Sequence, residues 1–546
     1  MLKFYNFFHL NLGFSSIEIE KQETVVKQCY LPLLEIAEEL SIPIGIEASG
    51  QTIELLSKID ISIINRLKKL IHDGTIEFIG SGYSQLIGPL VPYEINKVNL
   101  EIGVKLYKEI LDYSPNIFLV NEQAFSKSLV EIYNEINIDA IIMEWNNPFR
   151  NGKNWDNDLQ FFPQYASGLH HEKINLIWNN SAYFQKFQRY AQGEIELETY
   201  LDFLKTFIKK ETRFFPIYGS DAEVFDFRPG RYESEREIDK GRSEWKRIST
   251  LFKCISEDEQ FEFLLPSQVI KQAYEPFGFN KLDLTSECDP ITVKKQPKYN
   301  VLRWGLSGRN DFEINTRCHR LFQKISSDKK TFEIYSKELC YLWGSDFRTH
   351  ITSKRWNDYL KSLEELEKKL DHVTIDSPIN LTAKATKIQP VIEYRNDLLH
   401  YSSQNLKLGF NLKKGLAIDY FLDDRFGQTS LFGTLQQGFF DDIEWAADLF
   451  SGHLVYEPPA SHKITDLSPV KPQITWEKDV CKISAEVIDA QTEFIKTIQI
   501  DPHEGSIKIS NDISMGQDVN GPIRIGFVTL NPDAFCLSKL HFEAHN

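Results

Sequence analysis

Carboxylates follow several apolar runs of residues 1–225, at the points where β-strands would end. The residues at these points are His9 with Asn11, Glu47, the Gly80-Ser81-Gly82 turn, Glu122, Glu144 with Trp145, Asn179 with Asn180, and Asp221 with Glu223. Carboxylates crowded at one edge repel each other and resist desolvation, so folds concentrate them where a substrate, a metal or charged partners compensate. These residues therefore predict a functional site at one edge of a sheet.

Two chemistries use clustered carboxylates, and the residue types distinguish them. Glycosyl transfer needs one ionised carboxylate near the anomeric carbon and one protonated carboxyl group that assists the leaving oxygen. A catalytic metal needs His or Cys ligands or several converging carboxylates, yet no HxH, HExxH or DxDxDG arrangement accompanies His9. His170-His171 lies in an apparent loop, where adjacent side chains point apart. The pattern favours glycosyl transfer without a metal or another cofactor.

The elements that place these carboxylates alternate between strands and helices. Apolar runs predict strands over Leu2–Leu10, Ile42–Ala48, Thr75–Gly80, Asn116–Asn121, Ala140–Trp145, Ile174–Asn179 and Arg213–Ser220. Leu33, Ile36, Ala37 and Leu40 form the apolar face of one intervening helix. Such alternation predicts a parallel sheet, either open or closed into a barrel, that binds ligands at the carboxyl ends of its strands.

The rest of the 546-residue chain changes its periodicity twice. Residues 235–375 read as a helical subdomain, with Trp356, Leu360, Leu363 and Leu370 on one stripe. Beyond Ile379 apolar residues alternate with polar ones, which predicts a C-terminal antiparallel β-sandwich. We therefore expect three domains: residues 1–234, 235–375 and 376–546.

Net charge and composition limit which binding partners and which cellular compartment are expected for the chain. A formal charge of −16 argues against nucleic acid or an acidic membrane surface as partner. The N-terminus lacks the pattern of a signal peptide, and no apolar stretch is long enough for a membrane span. Seven scattered cysteines predict reduced, mostly buried thiols. The expected location is the cytoplasm, and the oligomeric state is left open.

Five short segments follow one another in a characteristic order. They are His9-Leu10-Asn11, Gly74-Thr75-Ile76-Glu77 leading into GSGYSQLIGPLVP, Leu119-Val120-Asn121-Glu122, Asp221-Ala222-Glu223-Val224-Phe225, and Gly344-Ser345-Asp346-Phe347 after Trp343. They resemble the motifs HxHQP, Gly-x-x-Glu with GGGYYEPILPLIP, WLPE, DxExF and SSDW of glycoside hydrolase family 57. Asn11 replaces the second His, Leu119 the Trp and Asn121 the Pro of those motifs.

The resemblance implies a (β/α)7 barrel followed by helices and a β-rich domain. It implies that Glu122 is the nucleophile and Asp221 the acid/base of a retaining reaction, which requires carboxyl groups about 5–5.5 Å apart. Further substrate contacts are expected from His9, Asn11, Glu47, Glu77, Trp145, Glu223, Arg303, Trp304, Trp343 and Asp346.

The expected function is that of a retaining glycoside hydrolase acting on an α-linked oligo- or polysaccharide. A 4-α-glucanotransferase of the same family would use the same residues. Metal-dependent deacetylation or mannosidase-like zinc catalysis would instead need an ion bound by His9 and carboxylates. A catalytically degenerate sugar-binding protein would fit the three replaced motif positions.

Overall fold

A computed structural model of the chain divides it into two compact units. The described residues are 1–149, 155–169, 172–230, 243–273, 278–284, 301, 303–348, 350–373, 390–395, 397–434, 450–458, 463–489, 492–515, 520–531, 534–535 and 540–541. The first unit holds those up to residue 373, and the second holds those from residue 390 onward. The segment that contains His170-His171 lies outside the described residues, as do the expected domain boundaries near residues 234 and 375.

The first unit is built on two mostly parallel sheets. Its strands are β1 (Leu2–Leu10), β2 (Ile44–Ala48), β3 (Ile76–Ile79), β4 (Ile117–Leu119), β5 (Ala140–Glu144), β6 (Gln164–Ser167), β7 (Lys173–Asn179), β8 (Arg213–Asp221), β9 (Phe261–Phe263) and β10 (Lys281–Leu282). One sheet has the order β3-β2-β1-β8, with β9 alongside β1, and its pairs are parallel. The other has the order β10-β6-β7-β5-β4, in which β6 and β7 pair antiparallel. A parallel bridge between Gly80 and Phe118 joins the end of β3 to β4.

Helices cover these sheets and connect their strands. They are α1 (Gln22–Val25), α2 (Leu31–Leu40), α3 (Gly50–Ile59), α4 (Ile61–His72), α5 (Tyr93–Leu111), α6 (Ser128–Glu135), α7 (Asn146–Phe149), α8 (Ser181–Ala191), α9 (Leu197–Lys205), α10 (Glu244–Ser256), α11 (Pro266–Gln272), α12 (Asp311–Ile325), α13 (Lys329–Leu342) and α14 (Ser353–Lys369). Leu33, Ile36 and Ala37 are buried on α2, which ends where Ser41 takes a left-handed φ of 51°. The helical face predicted for this segment is thus the face that packs.

The seven predicted strands are present as β1–β5, β7 and β8, close to their expected bounds. They are apolar on both faces because helices cover one side and the core fills the other. Phe4 and Phe8 of β1, for example, have no exposed surface.

The expectation of helices throughout residues 235–375 missed two short strands. β9 adds to the first sheet because Phe261 and Phe263 pack on Phe4, with ring centroids 5.2 and 5.9 Å away. A three-residue strand carries too little periodicity to be distinguished from the helices around it.

The second unit consists of antiparallel sheets. Its strands are β11 (Val391–Arg395), β12 (Leu398–Ser402), β13 (Leu406–Asn411), β14 (Ala417–Asp423), β15 (Phe432–Gly433), β16 (Leu454–Tyr456), β17 (Ile464–Thr465), β18 (Gln473–Glu477), β19 (Val480–Asp489), β20 (Thr492–Asp501), β21 (Ser506–Met515) and β22 (Ile523–Ile525). They form sheets in the orders β11-β12-β13-β14-β15, β17-β16-β22 and β18-β19-β20-β21. Leu408 and Phe410 of the first sheet share one core with Ile483 and Phe494 of the last. The period-two alternation predicted this antiparallel packing.

A buried ion pair crosses the core of the second unit. Lys496 Nζ on β20 lies 2.6 Å from Asp466 Oδ2, and both side chains are at most 2% exposed. Lys496 also donates to the carbonyl oxygen of Gly415 at 2.7 Å. The ammonium group is therefore compensated by one carboxylate and one carbonyl.

The cysteines of the described residues form no disulfide: Cys29, Cys318, Cys340 and Cys481 are buried thiols and Cys254 is half-buried. Within the same residues, no helix has both the length and the apolar composition needed to cross a membrane.

Candidate active site

The strand register places His9 between two carboxylates. In the parallel pairs of the first sheet, His9 at the end of β1 aligns with Glu47 of β2 on one side and with Asp221 of β8 on the other. Aligned residues of neighbouring strands project from the same face, so the three side chains meet at the carboxyl ends of the strands. His9 Nδ1 forms a short hydrogen bond with Glu47 Oε2, and Glu47 is fully buried.

The carboxylates around His9 favour its protonated, positively charged form. Burial lowers the pKa of the imidazole, but the charge and hydrogen bond of Glu47, followed by the charges of Asp221 and Glu223, raise it to about 10. On the other side of the ring, Nε2 lies 2.9 Å from the side-chain amide nitrogen, Nε2, of Gln85. His9 therefore supplies a positive charge among carboxylates.

Asn11, two residues further, holds two more carboxylates. Its backbone N–H donates to Glu223 Oε1 at 2.7 Å, and its side-chain Nδ2 donates to Asp346 Oδ1 at 2.8 Å. Glu223 also accepts a hydrogen bond from the hydroxyl of Tyr30. Burial raises the pKa of Glu223, and the nearby charge of Asp221 raises it further. Asn11 thus joins the loop after β8 to the turn at Asp346.

Glu122 lies in a short 3₁₀ turn after β4 and has an unusual backbone. Its φ and ψ are 50° and 16°, and Gln123 follows with a φ of 59°. Its carboxylate Oε1 accepts a hydrogen bond from Ser345 Oγ at 3.3 Å. Ser345 precedes Asp346, whose pKa is raised by burial and, in part, by the charge of Glu122. Glu122 therefore borders the same group of acids as His9.

Gln85 and Arg355 connect the helices after residue 301 to the strand ends. The Gln85 carbonyl accepts from the Ser345 N–H at 2.8 Å, while its side chain meets His9. The Arg355 guanidinium donates to carbonyl oxygens of the loop after β1, at 2.9 Å to Gly13 and 3.0 Å to Ile17. We name Glu47, Glu122, Asp221, Glu223 and Asp346 the carboxylate cluster. Its members come from the ends of three strands, β2, β4 and β8, and from one turn of the helical segment.

Glu77 and Trp145 were also expected in this site, and the side chains of both are buried. Glu77 Oε2 accepts from the backbone N–H of Ser267 at 2.7 Å, at the start of α11. Trp145 is 1% exposed, and its ring stacks on Phe149 with centroids 4.8 Å apart. Both side chains make their contacts in the interior of the first unit.

The two tryptophans expected from the helical segment are also buried. Trp343 is 1% exposed and donates from Nε1 to Asn315 Oδ1 at 2.9 Å. Trp304 is 2% exposed, and its carbonyl accepts from Arg348 Nη1 at 3.2 Å. Arg303 begins the same π-helical turn and is half-buried. These contacts brace the turn that carries Ser345 and Asp346.

Three contributors to the site escaped the sequence analysis. Gln85 and Ser345 lie within the quoted segments GSGYSQLIGPLVP and Gly344–Phe347, so those motifs carried the signal. Tyr30 lies in a helical stretch whose buried face also holds Val26 and Cys29. Nothing in that pattern distinguishes a hydroxyl that binds Glu223 from a residue that only packs.

Among the described residues, no group of three or more His, Cys, Asp or Glu side chains has the arrangement of a metal site. His9, the imidazole nearest the carboxylates, already directs one nitrogen to Glu47 and the other to Gln85.

The residues that carry the cluster's strand ends match a known protein family. The family model described as glycosyl hydrolase family 57 matches residues 5–278, which contain His9, Glu47, Glu122 and Asp221. The chain belongs to this family.

Individual members of family 57 are distant relatives. An α-amylase of Pyrococcus furiosus is 22% identical over 351 residues, which are 62% of this chain and 47% of that protein. A 4-α-glucanotransferase of Thermococcus litoralis is 22% identical over 266 residues, or 48% of this chain and 38% of that protein. The chain thus spans less than half the length of these curated relatives.

The fold agrees with that of a solved family member. The crystal structure of the 4-α-glucanotransferase from Thermococcus litoralis matches with a TM-score of 0.50 at 14% identity, covering 94% of this chain and 85% of that one.

Proposed function

We propose that this chain is a retaining glycosidase or transglycosylase that acts on α-linked glucans, with Glu122 as nucleophile and Asp221 as acid/base. The observation that carries the proposal is the cluster itself: Glu122 beside Ser345 and Asp346, and Asp221 level with His9, at the carboxyl ends of parallel strands. Strand ends on this side of parallel α/β folds are where ligands bind. The names of the relatives, α-amylase and 4-α-glucanotransferase, support an α-glucan as substrate.

The proposed reaction has two displacements. A carboxylate oxygen of Glu122 forms a bond to the anomeric carbon while the bond to the leaving oxygen breaks, and Asp221 gives its proton to that oxygen. Asp221 then takes a proton from water or from an acceptor hydroxyl, whose oxygen replaces Glu122. Water yields hydrolysis and a sugar hydroxyl yields transfer, so one site serves both outcomes.

We also propose that the two parallel sheets form one seven-stranded barrel. Two contacts support it: the bridge between Gly80 and Phe118 joins β3 to β4, and Asn179 Nδ2 at the end of β7 donates to the Gly219 carbonyl of β8 at 2.7 Å. The resulting order is β1-β2-β3-β4-β5-β7-β8. The segment from 235 to 375 then acts as a helical subdomain that contributes Ser345 and Asp346, and residues 376–546 form the β domain.

The test compares Glu122→Gln and Asp221→Asn with the wild type on maltooligosaccharides. Glu77→Gln is the matched control. Glu77 is a buried carboxylate on β3, and it accepts a hydrogen bond from the backbone N–H of Ser267 in the first turn of α11. We expect both site variants to lose at least about 10³-fold in kcat, since each removes a group the chemistry requires. With an activated leaving group that needs no proton, Asp221→Asn should recover most of the first step while Glu122→Gln should not.

Product analysis separates the two outcomes. An increase in reducing ends indicates hydrolysis, and redistribution of chain lengths without such an increase indicates transfer. Undiminished turnover of Glu122→Gln would refute the assignment. Binding without turnover by the wild type across glucans would instead identify a sugar-binding protein.

A further inference from the structure

Glu122 has a backbone conformation that L-amino acids avoid. Its φ of 50° and that of the next residue, Gln123, at 59° both lie in the left-handed region. There the β-carbon approaches the following carbonyl oxygen, so two such residues in succession are unfavourable. Conformations of this kind persist where the surroundings hold them, and they are concentrated at functional sites.

The two residues that flank Glu122 are each tied to a neighbouring strand. Asn121 Nδ2 donates to the carbonyl oxygen of Ser81 at 2.9 Å, in the loop that follows β3. Gln123 Oε1 accepts from the backbone N–H of Glu144 at 2.7 Å, at the end of β5. β3 and β5 lie on opposite sides of β4, the strand from which this turn emerges. The turn is therefore held from both sides.

Asn121 stands where the resembling motif WLPE has its proline. A proline would restrict the turn through its ring, which fixes φ near −65°. Asparagine has no such ring, and here its side chain provides an anchor instead. At this position the chain therefore has a side-chain hydrogen bond where the motif has a proline ring.

We propose that Asn121 and Gln123 are positioning residues that hold Glu122 in its left-handed conformation and aim its carboxylate. The inference rests on the proposed role of Glu122 as nucleophile. Neither flanking side chain is required to touch the substrate. Each acts through the backbone of the residue between them.

The first experiment measures kcat and KM separately for Asn121→Ala, Gln123→Ala and the double variant on a maltooligosaccharide. Misplacing a reacting group by about 1 Å can cost about 100-fold, so we expect kcat to fall about 10- to 100-fold while KM changes less than about twofold. Asn175→Ala is the control. Its Nδ2 also donates to a backbone carbonyl at 2.8 Å, that of Asp139, but at the opposite end of the same sheet.

Rescue by proline distinguishes positioning from mere loss of a hydrogen bond. Val120 has φ −75° and ψ 113°, the extended conformation that a residue before proline prefers. Asn121→Pro should therefore recover kcat to within about threefold of the wild type although it lacks the bond to Ser81. An unchanged kcat in Asn121→Ala, or a drop equal to that of Asn175→Ala, would overturn the inference.

The second experiment needs no activity, so it separates this inference from the proposed function. Glu122→Gly and Glu122→Ala both lack the carboxylate, but glycine tolerates a positive φ and alanine does not. With Asn121 and Gln123 intact, Glu122→Gly should have the higher melting temperature. In the Asn121→Ala/Gln123→Ala background the turn can relax, and alanine should then be the more stable because glycine gains more freedom on unfolding. The same order of melting temperatures in both backgrounds would refute the positioning role, whereas an inactive wild type with the expected reversal would refute only the proposed function.

Discussion

The contact between His9 and Glu47 predicts how the stability of the first unit depends on pH. Burial opposes the charge on His9, yet the carboxylates around it, Glu47 first, raise its pKa from 6.5 to about 10. Because the folded state binds this proton more tightly than the unfolded state, the stabilisation is complete below pH 6.5 and is lost as pH rises toward 10. A difference of this size corresponds to on the order of 3–5 kcal/mol, and the side chain is only 13% exposed, so little of it is screened.

Glu47→Gln removes the main partner of the His9 imidazolium, so Glu47 no longer offsets the lowering of the His9 pKa by burial. We expect this variant to lose on the order of 3–5 kcal/mol at pH 6.5, the usual consequence of leaving one buried charge unpaired. Its free energy of unfolding should then fall much less than that of the wild type between pH 6.5 and 9.5. The difference between the two proteins isolates His9 from other groups that titrate in this range.

Guanidinium unfolding followed by tryptophan fluorescence suits the measurement, because most tryptophans lie in the first unit. Asp479→Asn is the matched control: His503 Nε2 lies 2.9 Å from Asp479 Oδ2, but the side chains are 65% and 49% exposed. No measurable change is expected there, since exposed pairs contribute little. Parallel stability–pH curves for the wild type and Glu47→Gln would refute the assignment of a charged His9.

Three further predictions concern other features. Lys496→Met should destabilise the second unit by about 3–5 kcal/mol in calorimetry because it leaves Asp466 buried without its ammonium partner, whereas replacing both residues by apolar ones should restore much of the loss. Asn11→Ala should lower kcat about tenfold in steady-state assays, because Asp346 loses its amide donor, and an unchanged kcat would show that Asp346 needs no such support. Extended dialysis against a chelator should leave turnover on maltooligosaccharides unchanged, and a loss that added zinc reverses would contradict the carboxylate mechanism.

The strand ends could be predicted because two strong signals coincide there. Buried parallel strands appear as short apolar runs, and the polar residue after each run marks its carboxyl end. Glu47, Asp221 and His9 met for this reason, since neighbouring parallel strands place their ends at one edge. The pairing of His9 with one particular carboxylate depends on register, which apolar runs leave undetermined.

The aromatic residues show where such reasoning fails. A tryptophan next to a strand end, such as Trp145, has the same sequence signature whether it stacks on a sugar or on Phe149. Its burial depends on Phe149 of α7, which directly follows it, and on Trp178 of β7, which comes later in the chain. Gln85 was missed for a related reason, because a neutral amide gains its role only from the distant His9 and Ser345 that it contacts.

The hydrogen bonds of the carboxylate cluster join residues that the ribosome adds at widely separated times. Asn11 and Asp346 are separated by 335 positions, and Glu122 and Ser345 by 223. At about 5–20 residues per second, a ribosome needs roughly 10–45 s to extend the chain from Glu122 to Ser345. During that interval the strands can pair, but the acids at their ends still lack the partners that come from the later helices. A nascent chain therefore carries Asn11 and Glu122 before Asp346 and Ser345, the residues that they contact in the folded protein, have been added.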